Sequence, residues 1–380
     1  MSWSEITLGE AIHVKHGYAF KSEFFSSKGD YIVLTPGNFH ERGGFRVRPD
    51  KDRAYWGDIP EAYILDEGDL IVAMTEQGAG LLGSSALVPQ SNRYLHNQRL
   101  GLVDKIDSSL LEKKFLYLLF NSRSVRAQIN ASASGTKVRH TAPERIYQVR
   151  VRVPDIRIQR KISDLALTYD ELIENNHRRI QLLEETARLL YREWFVYLRF
   201  PGHEHVTITN GVPDGWEQTS LGQYSKLNYG KALKAENRVE GNFAVYGSSG
   251  IVGSHNAGLV KGPAIIVGRK GNVGSVYWSS RDCWPIDTVY FIDTDKANLY
   301  LYYALQFMQF ISTDVAVPGL NRDLAHSRPL MIPSSRILSE FLLTAAPIRQ
   351  QIEKLEELNQ KLAQARDLLL PRLMNGEITV

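Results

Sequence analysis

Two stretches of the chain repeat apolar residues every three or four positions. In the first, Ile162, Leu165, Tyr169, Ile173, Ile180, Leu183, Ala187, Leu190, Trp194 and Tyr197 are spaced by three, four or seven. That spacing predicts a heptad-like stripe, with one slip of register, on a helix of roughly 40 residues. The second stripe, Ile352, Leu355, Leu358, Leu362, Ala365 and Leu369, is shorter. Pro154 and Pro347 precede the two stretches and Pro201 and Pro371 close them, as expected of a residue that cannot continue a helix. At 1.5 Å per residue the first helix extends ~60 Å, beyond the width of a 150-residue domain. The two helices are therefore expected to pair as an antiparallel coiled coil, through Ile162, Leu165, Tyr169, Ile173, Ile180 and Leu183 on one and Ile352, Leu355, Leu362 and Leu369 on the other. The alternative is that each helix packs only on its own globular neighbour. Asn176 and Asn359 fall near core positions, where a buried Asn fixes register, although an Asn on the rim is equally ordinary.

The remaining sequence, roughly 1–153 and 210–346, consists of short alternating or β-branched runs punctuated by glycine. Leu70-Ile-Val-Ala73, Ala264-Ile-Ile-Val267, Ser275-Val-Tyr-Trp278 and Thr288-Val-Tyr-Phe-Ile292 read as strands. One helix per half is expected, over Leu110–Ile129 and Asn298–Ile311. Each half is therefore α+β, a glycine-cornered sheet with a packed helix.

The halves are also copies. Trp3-Ser-Glu-Ile-Thr-Leu-Gly9 returns as Trp216-Glu-Gln-Thr-Ser-Leu-Gly222, Gly17-Tyr-Ala-Phe-Lys21 is echoed in Tyr229-Gly-Lys-Ala-Leu-Lys234, and Gly68-Asp-Leu-Ile-Val72 in Gly262-Pro-Ala-Ile-Ile-Val267. Further pairs follow in the same order, including Phe115–Phe120 with Leu299–Leu305. Ordered repetition of this kind implies duplication. The expected division is a first domain over 1–153, a central helix and linker over 154–209, a second domain over 210–346 and a C-terminal helix over 347–380, a pseudo-twofold internal repeat.

Composition narrows the function classes. Across 380 residues, 45 Lys+Arg face 42 Asp+Glu, a formal charge of +3, too near zero to advertise a polyanion partner. A nucleic-acid ligand would have to be held by locally arranged charge. The lone Cys283 cannot form an internal disulfide, so a reducing cytoplasm is the expected compartment. The opening MSWSEITLGE lacks the basic start and apolar core of a signal peptide, and no stretch predicts a membrane span.

Enzymatic signatures are missing. There is no GxxxxGK[ST] phosphate loop, GxSxG elbow or HExxH pair, and no catalytic or metal-ligating set is expected. Gly268-Arg-Lys-Gly-Asn-Val-Gly274 has strands on both sides and so lacks the helix N-terminus that would hold a phosphate. What recurs instead is basic, amide and aromatic residues on glycine loops. In the first half these are Tyr18, Lys21, Gln77, Gln98, Arg99, Lys137 and Arg139; in the second, Tyr229, Lys231, Tyr246, Ser248, Arg269, Lys270, Asn321 and Arg322. Arg and Lys neutralise phosphate or pair with guanine edges, Gln and Asn bridge adenine, and hydroxyls serve either. Any one such loop is ordinarily a solvated hairpin end; their recurrence in both copies points to DNA.

The chain resembles the specificity subunit of type I restriction–modification enzymes over its full length. The residues that carry the resemblance are the Trp-x4-Leu-Gly openings, Gly17-Tyr-Ala-Phe-Lys-Ser22, Val245-Tyr-Gly-Ser-Ser-Gly-Ile-Val-Gly253, Ile266-Val-Gly-Arg-Lys-Gly-Asn-Val-Gly274, Pro318-Gly-Leu-Asn321 and Leu368-Leu-Leu-Pro-Arg-Leu-Met-Asn-Gly376. The resemblance implies a non-catalytic subunit with two target-recognition domains, each reading one half of a bipartite double-stranded DNA site. The helical pair would set the half-site spacing and dock two methyltransferase subunits. ATP-dependent restriction subunits would join them, and S-adenosylmethionine, ATP and Mg would be held by those partners. Met74-Thr-Glu-Gln-Gly78 stands where the second half has Gly-Arg-Lys-Gly, so one loop is acidic and the other basic, and the halves are expected to read different bases. The competing reading is a coiled-coil interaction scaffold without sequence-specific DNA binding.

Overall fold

A computed structural model describes residues 3–49, 51–76, 80–310 and 319–380. The chain forms two compact units, Met1–Glu174 with Asn359–Val380, and Asn175–Leu358. Among the described residues no helix is long and apolar enough to cross a membrane.

In the first unit, four antiparallel strands lie in the order Ile12–His16, Leu100–Ile106, Leu70–Ala73, Ser85–Leu87. Leu70–Ala73 is buried on both faces, as expected of an apolar run without alternation. A second sheet of five short strands includes a parallel pair, Tyr31–Val33 with Tyr94–Leu95. The expected helix over 110–129 is two helices, Lys113–Asn121 and Arg123–Ser132. Ser122 divides them in an extended conformation, its Oγ accepting from the Val125 N–H, because a Ser oxygen caps a new helix better than it continues an old one.

The second unit repeats the plan. Its four-stranded sheet runs Asn228–Tyr229, Val289–Ile292, Ala264–Gly268, Val276–Ser279, and its parallel pair is Phe243–Gly247 with Cys283–Pro285. Each copy closes with a ribbon, Ser4–Thr7 on Arg150–Val153 and Glu217–Ser220 on Pro329–Ile332. Next to each ribbon a turn begins with the same device: the Thr7 N–H donates to the Glu10 carboxylate at 2.9 Å and the Ser220 N–H to the Gln223 side-chain Oε1 at 3.2 Å. The helix expected over 298–311 is Leu299–Phe307.

The long helices are Ile156–Tyr191, continued by a π turn over Arg192–Val196, and Ser335–Met374. In the first unit Ile158, Ile162 and Ala166 share a core with Leu369, Leu370 and Leu373, Arg366 pairs with Asp170, and Asn359 Nδ2 donates to the Ile173 carbonyl at 3.4 Å. In the second, Ala187, Tyr191 and Phe195 pack with Ile337, Phe341 and Ala345. Partner numbers fall on one helix as they rise on the other, so the pairing is antiparallel within each unit.

The seam departs from the expected stripe in an instructive way. Leu165 is 37% exposed, whereas Ala166 is 3% exposed, and Asn176 is buried. With those two included, positions 162, 166, 169, 173, 176, 180, 183 and 187 alternate by four and three, and the slip of register disappears. On the second helix Ile352 and Leu355 are buried and Leu362 and Leu369 half-buried, but Leu358 is exposed and its neighbour Asn359 takes the inward position. The second helix also begins at Ser335 and carries both Pro347 and Pro371 inside it. Pro347 would otherwise donate to the carbonyl of Leu343, and Leu343 is 76% exposed, so the acceptor left free faces water rather than core.

Candidate nucleic-acid interface

The two sheets hold their loops by the same backbone bonds. The Tyr18 N–H donates to the His96 carbonyl at 2.8 Å, and the Lys231 N–H to that of Pro285 at 3.0 Å. The Met74 N–H meets the Arg99 carbonyl and the Thr141 N–H the Met74 carbonyl; in the second unit the Arg269 N–H meets Thr288 and the Leu320 N–H meets Arg269. Gly17 and Gly230 mark the closest approach: a Cβ at either would lie 2.0 Å or 2.1 Å from a carbonyl oxygen, of Asn97 or Ile286. Only glycine lets the chain pass there.

In the second unit this frame gathers Tyr229, Arg269 and Arg322. Tyr229 ends its strand opposite Tyr290, and its ring is half exposed. The guanidinium carbons of Arg269 and Arg322 stand 4.9 Å and 5.0 Å from the ring centroid, within cation–π range. Arg269 also donates to the Asp287 carbonyl at 3.2 Å. Neither arginine has a carboxylate within ion-pair distance among the described residues, and Arg322 Nε is buried without a hydrogen-bond partner. Two cations share one aromatic ring with no carboxylate paired to either among the described residues, an arrangement that attracts an anion or an acceptor edge. Lys231 and Lys270 are exposed on the same loops. Asn321 caps the helix Arg322–His326, its Oδ1 accepting from the Asp323 and Leu324 N–H groups.

In the first unit, Tyr18 lies between Phe20 and Tyr63, at 5.1 Å and 5.3 Å. Lys15 stands 4.5 Å over the Tyr63 ring and donates to the Ala62 carbonyl; the alternation of Ile12-His-Val-Lys15 is the signal the sequence carries for it. Gln98 and Arg99 are exposed on a turn whose Asn97 Oδ1 accepts from the Arg99 N–H. Beneath it His96 is fully buried, its Nε2–H donating to the Leu100 carbonyl, and burial pulls its pKa down to about 4. The ring is therefore neutral near pH 7 and shapes the turn without adding charge. Lys21 and Lys137 are exposed. Gln77 lies outside the described residues.

Three of the expected contact residues are not fully exposed. Arg139 is partly buried, bonded to Asn130 and to the carboxylate of Glu76 at 3.3 Å. Glu76 is itself buried and accepts from the N–H groups of Gly80, Leu81 and Leu82. The acidic loop therefore presents no carboxylate from Glu76 to a ligand: that charge organises the loop from within. Tyr246 is a core residue, 7% exposed, its hydroxyl near the Trp278 carbonyl and its pKa raised by burial. Ser248 is half-buried, and its carbonyl accepts from Ser275 and Tyr277.

Comparison with known proteins adds what geometry alone does not carry. Residues 1–185 and 213–357 match the family described as the type I restriction modification DNA specificity domain. The chain belongs to this family. Among curated proteins it is 23% identical over 301 residues to the type I restriction enzyme MjaIX specificity subunit of Methanocaldococcus jannaschii, covering 70% of this chain and 69% of that one. It is 21% identical to the HindI specificity subunit of Haemophilus influenzae, over 73% of this chain and 80% of the other. Among solved structures, the S subunit of a type I restriction-modification system from M. genitalium has the same fold, with a TM-score of 0.64 at 18% identity over 98% of this chain and 96% of that one. As a DNA specificity protein, the chain carries two α+β domains with a long helix between them.

Proposed function

We propose that this chain is the non-catalytic, sequence-reading subunit of a type I restriction–modification enzyme in the cytoplasm. Each α+β unit reads one half of a bipartite DNA duplex. The long helices set the distance between the half-sites and dock two methyltransferase subunits, with restriction subunits completing the complex. S-adenosylmethionine, ATP and Mg are then the partners' ligands. The observation that supports this best is that one backbone frame, built twice, differs at equivalent positions: one unit gathers Tyr229, Arg269 and Arg322 at a half-exposed ring, where the other has the exposed His16 and the buried Met74 and Pro143. That is what two readers of unlike half-sites require, and a scaffold binding no DNA would not need it.

Methylome sequencing of the source strain with and without the gene tests the reading. A split modified motif should vanish on deletion, and a methylome that does not change would sink it. Removing four residues, one helical turn of ~6 Å, within 165–190 is expected to change the preferred spacer and leave both half-sites intact.

A further inference from the structure

A cleft of about 1940 Å³ lies wholly within the first unit, between residues 37–49 with Lys51, the helices Lys113–Asn121 and Arg123–Ser132, the strand Arg150–Val153 and the C-terminal end of the second long helix. It is larger than the ~300–1,000 Å³ usual for a small-molecule site. Its walls are built rather than loose. Asn121 bonds Ser85 and Tyr117, and Arg126 ties the Glu41 carbonyl to that of Gly80. Arg46, Arg123 and Arg152 line it, exposed, and none has a carboxylate within ion-pair distance among the described residues. Arg42 and Arg366, by contrast, are paired with Asp367.

These cations are not demanded by the fold. Arg150 and Arg152 alternate on the exposed face of their strand, while the equivalent strand of the second unit has Pro329 and Met331. The cleft also adjoins the candidate reader loops, because Leu81 lines it and Arg126 holds Gly80, both in the loop that Glu76 organises. Apolar surface makes up more of the wall than polar surface, and Glu41, Asp170, Glu174 and Asp367 line it too, but the guanidinium groups of Arg46, Arg123 and Arg152 suit phosphate oxygens, which they can engage in bidentate fashion.

We propose that this cleft holds a stretch of nucleic-acid phosphate backbone outside the base-reading loops, so that the first unit grips DNA on a second, sequence-independent surface. The inference rests on the DNA-reading function proposed above. It is tested with the full chain and a 40-base-pair duplex carrying the motif found by methylome sequencing, by measuring affinity against salt. Each phosphate contact contributes about 0.9 to the slope of log K on log salt. The double variant Arg123→Ala/Arg152→Ala should therefore show a slope shallower by about 1.8. Between 50 and 200 mM salt the wild type would lose about 12-fold more affinity than the variant. Preference for the motif over a scrambled duplex should be unchanged, and Arg123→Lys/Arg152→Lys should restore most of the slope. An unaltered slope in a variant with wild-type thermal melting overturns the proposal, and so does loss of methyltransferase-subunit binding with the slope intact, which would make the cleft a protein-docking surface. A wild-type chain with no motif preference would instead count against the proposed function, while the slope comparison would still decide the cleft.

Discussion

Arg349 faces three carboxylates in the second unit. Its side chain is 11% exposed, and Glu353, Glu356 and Glu184 lie 3.2, 3.3 and 3.8 Å away. Removing the arginine strands three carboxylates beside one another. Breaking a buried pair costs about 3–5 kcal/mol. Here the carboxylates are 30%, 47% and 38% exposed, so water relieves part of that cost, and Arg349→Met, which keeps the bulk, is expected to destabilise the unit by roughly 2–3 kcal/mol. For a unit of this size that is a drop of about 4–12 °C in Tm. The loss should depend on pH. Burial holds the Glu356 carboxyl above its ordinary value while Arg349 pulls it down, and Glu184 and Glu353 push it up. Without Arg349 it rises further. A carboxyl whose folded pKa is raised binds more protons folded than unfolded, so stability falls as pH rises through that window. Thermal melting of variant and wild type should therefore differ most at pH 7.5 and converge toward pH 5. A deficit of equal size at both pH values, or none at all, would refute the reasoning.

Three further outcomes are expected. If Tyr229, Arg269 and Arg322 read bases, Arg322→Ala relaxes one position of one half-site, with about 5- to 140-fold less discrimination, corresponding to the ~1–3 kcal/mol of a bidentate base contact; a uniform loss over all sequences with a shallower salt slope would make it a phosphate contact, and no effect would remove the cluster from the interface. Leu165→Glu should leave the melting temperature of the chain alone within about a degree, whereas Ala166→Glu puts a charge into the helix seam and should lower it severely; equal effects would contradict the seam described above. Burial raises the Cys283 thiol to about 11, so it should resist thiol reagents at pH 8 until the protein is unfolded, and rapid labelling of the folded chain would show the site to be open.

The duplication and the antiparallel pairing were legible in the sequence, because Trp-x4-Leu-Gly and a stripe of leucines are local patterns. The true seam was less so. A reading that follows apolar residues steps over Ala166 to Leu165 and over Asn359 to Leu358, and it has no means of seeing that Arg366 turns inward to Asp170. Buried polar residues are admitted by partners on another segment, which spacing does not reveal. The same applies at the interface. Glu76 and Arg139 lie 63 positions apart in the chain, so nothing local distinguished their internal ion pair from two charges offered to a ligand. Pro347 misled in the opposite sense, since a helix tolerates proline where the carbonyl it leaves free can be hydrated. By contrast, Tyr229, Arg269 and Arg322 lie on three separate segments where residue type alone marks them, and the fold brings the two guanidinium groups 4.9 and 5.0 Å from the Tyr229 ring.

The loop anchors have a consequence for how such a protein changes over generations. Peptide groups, not side chains, tie Met74 to Arg99 and Thr141, and the same peptide groups tie Arg269 to Thr288 and Leu320. A codon change at the exposed Arg99 or the half-exposed Arg269 alters what is presented without loosening what presents it, whereas Met74, Thr141 and Leu320 are buried and a change there also disturbs the packing beneath. Inheritance can thus revise one unit's preference by point mutation, or replace a whole unit, while the strands beneath remain as they were.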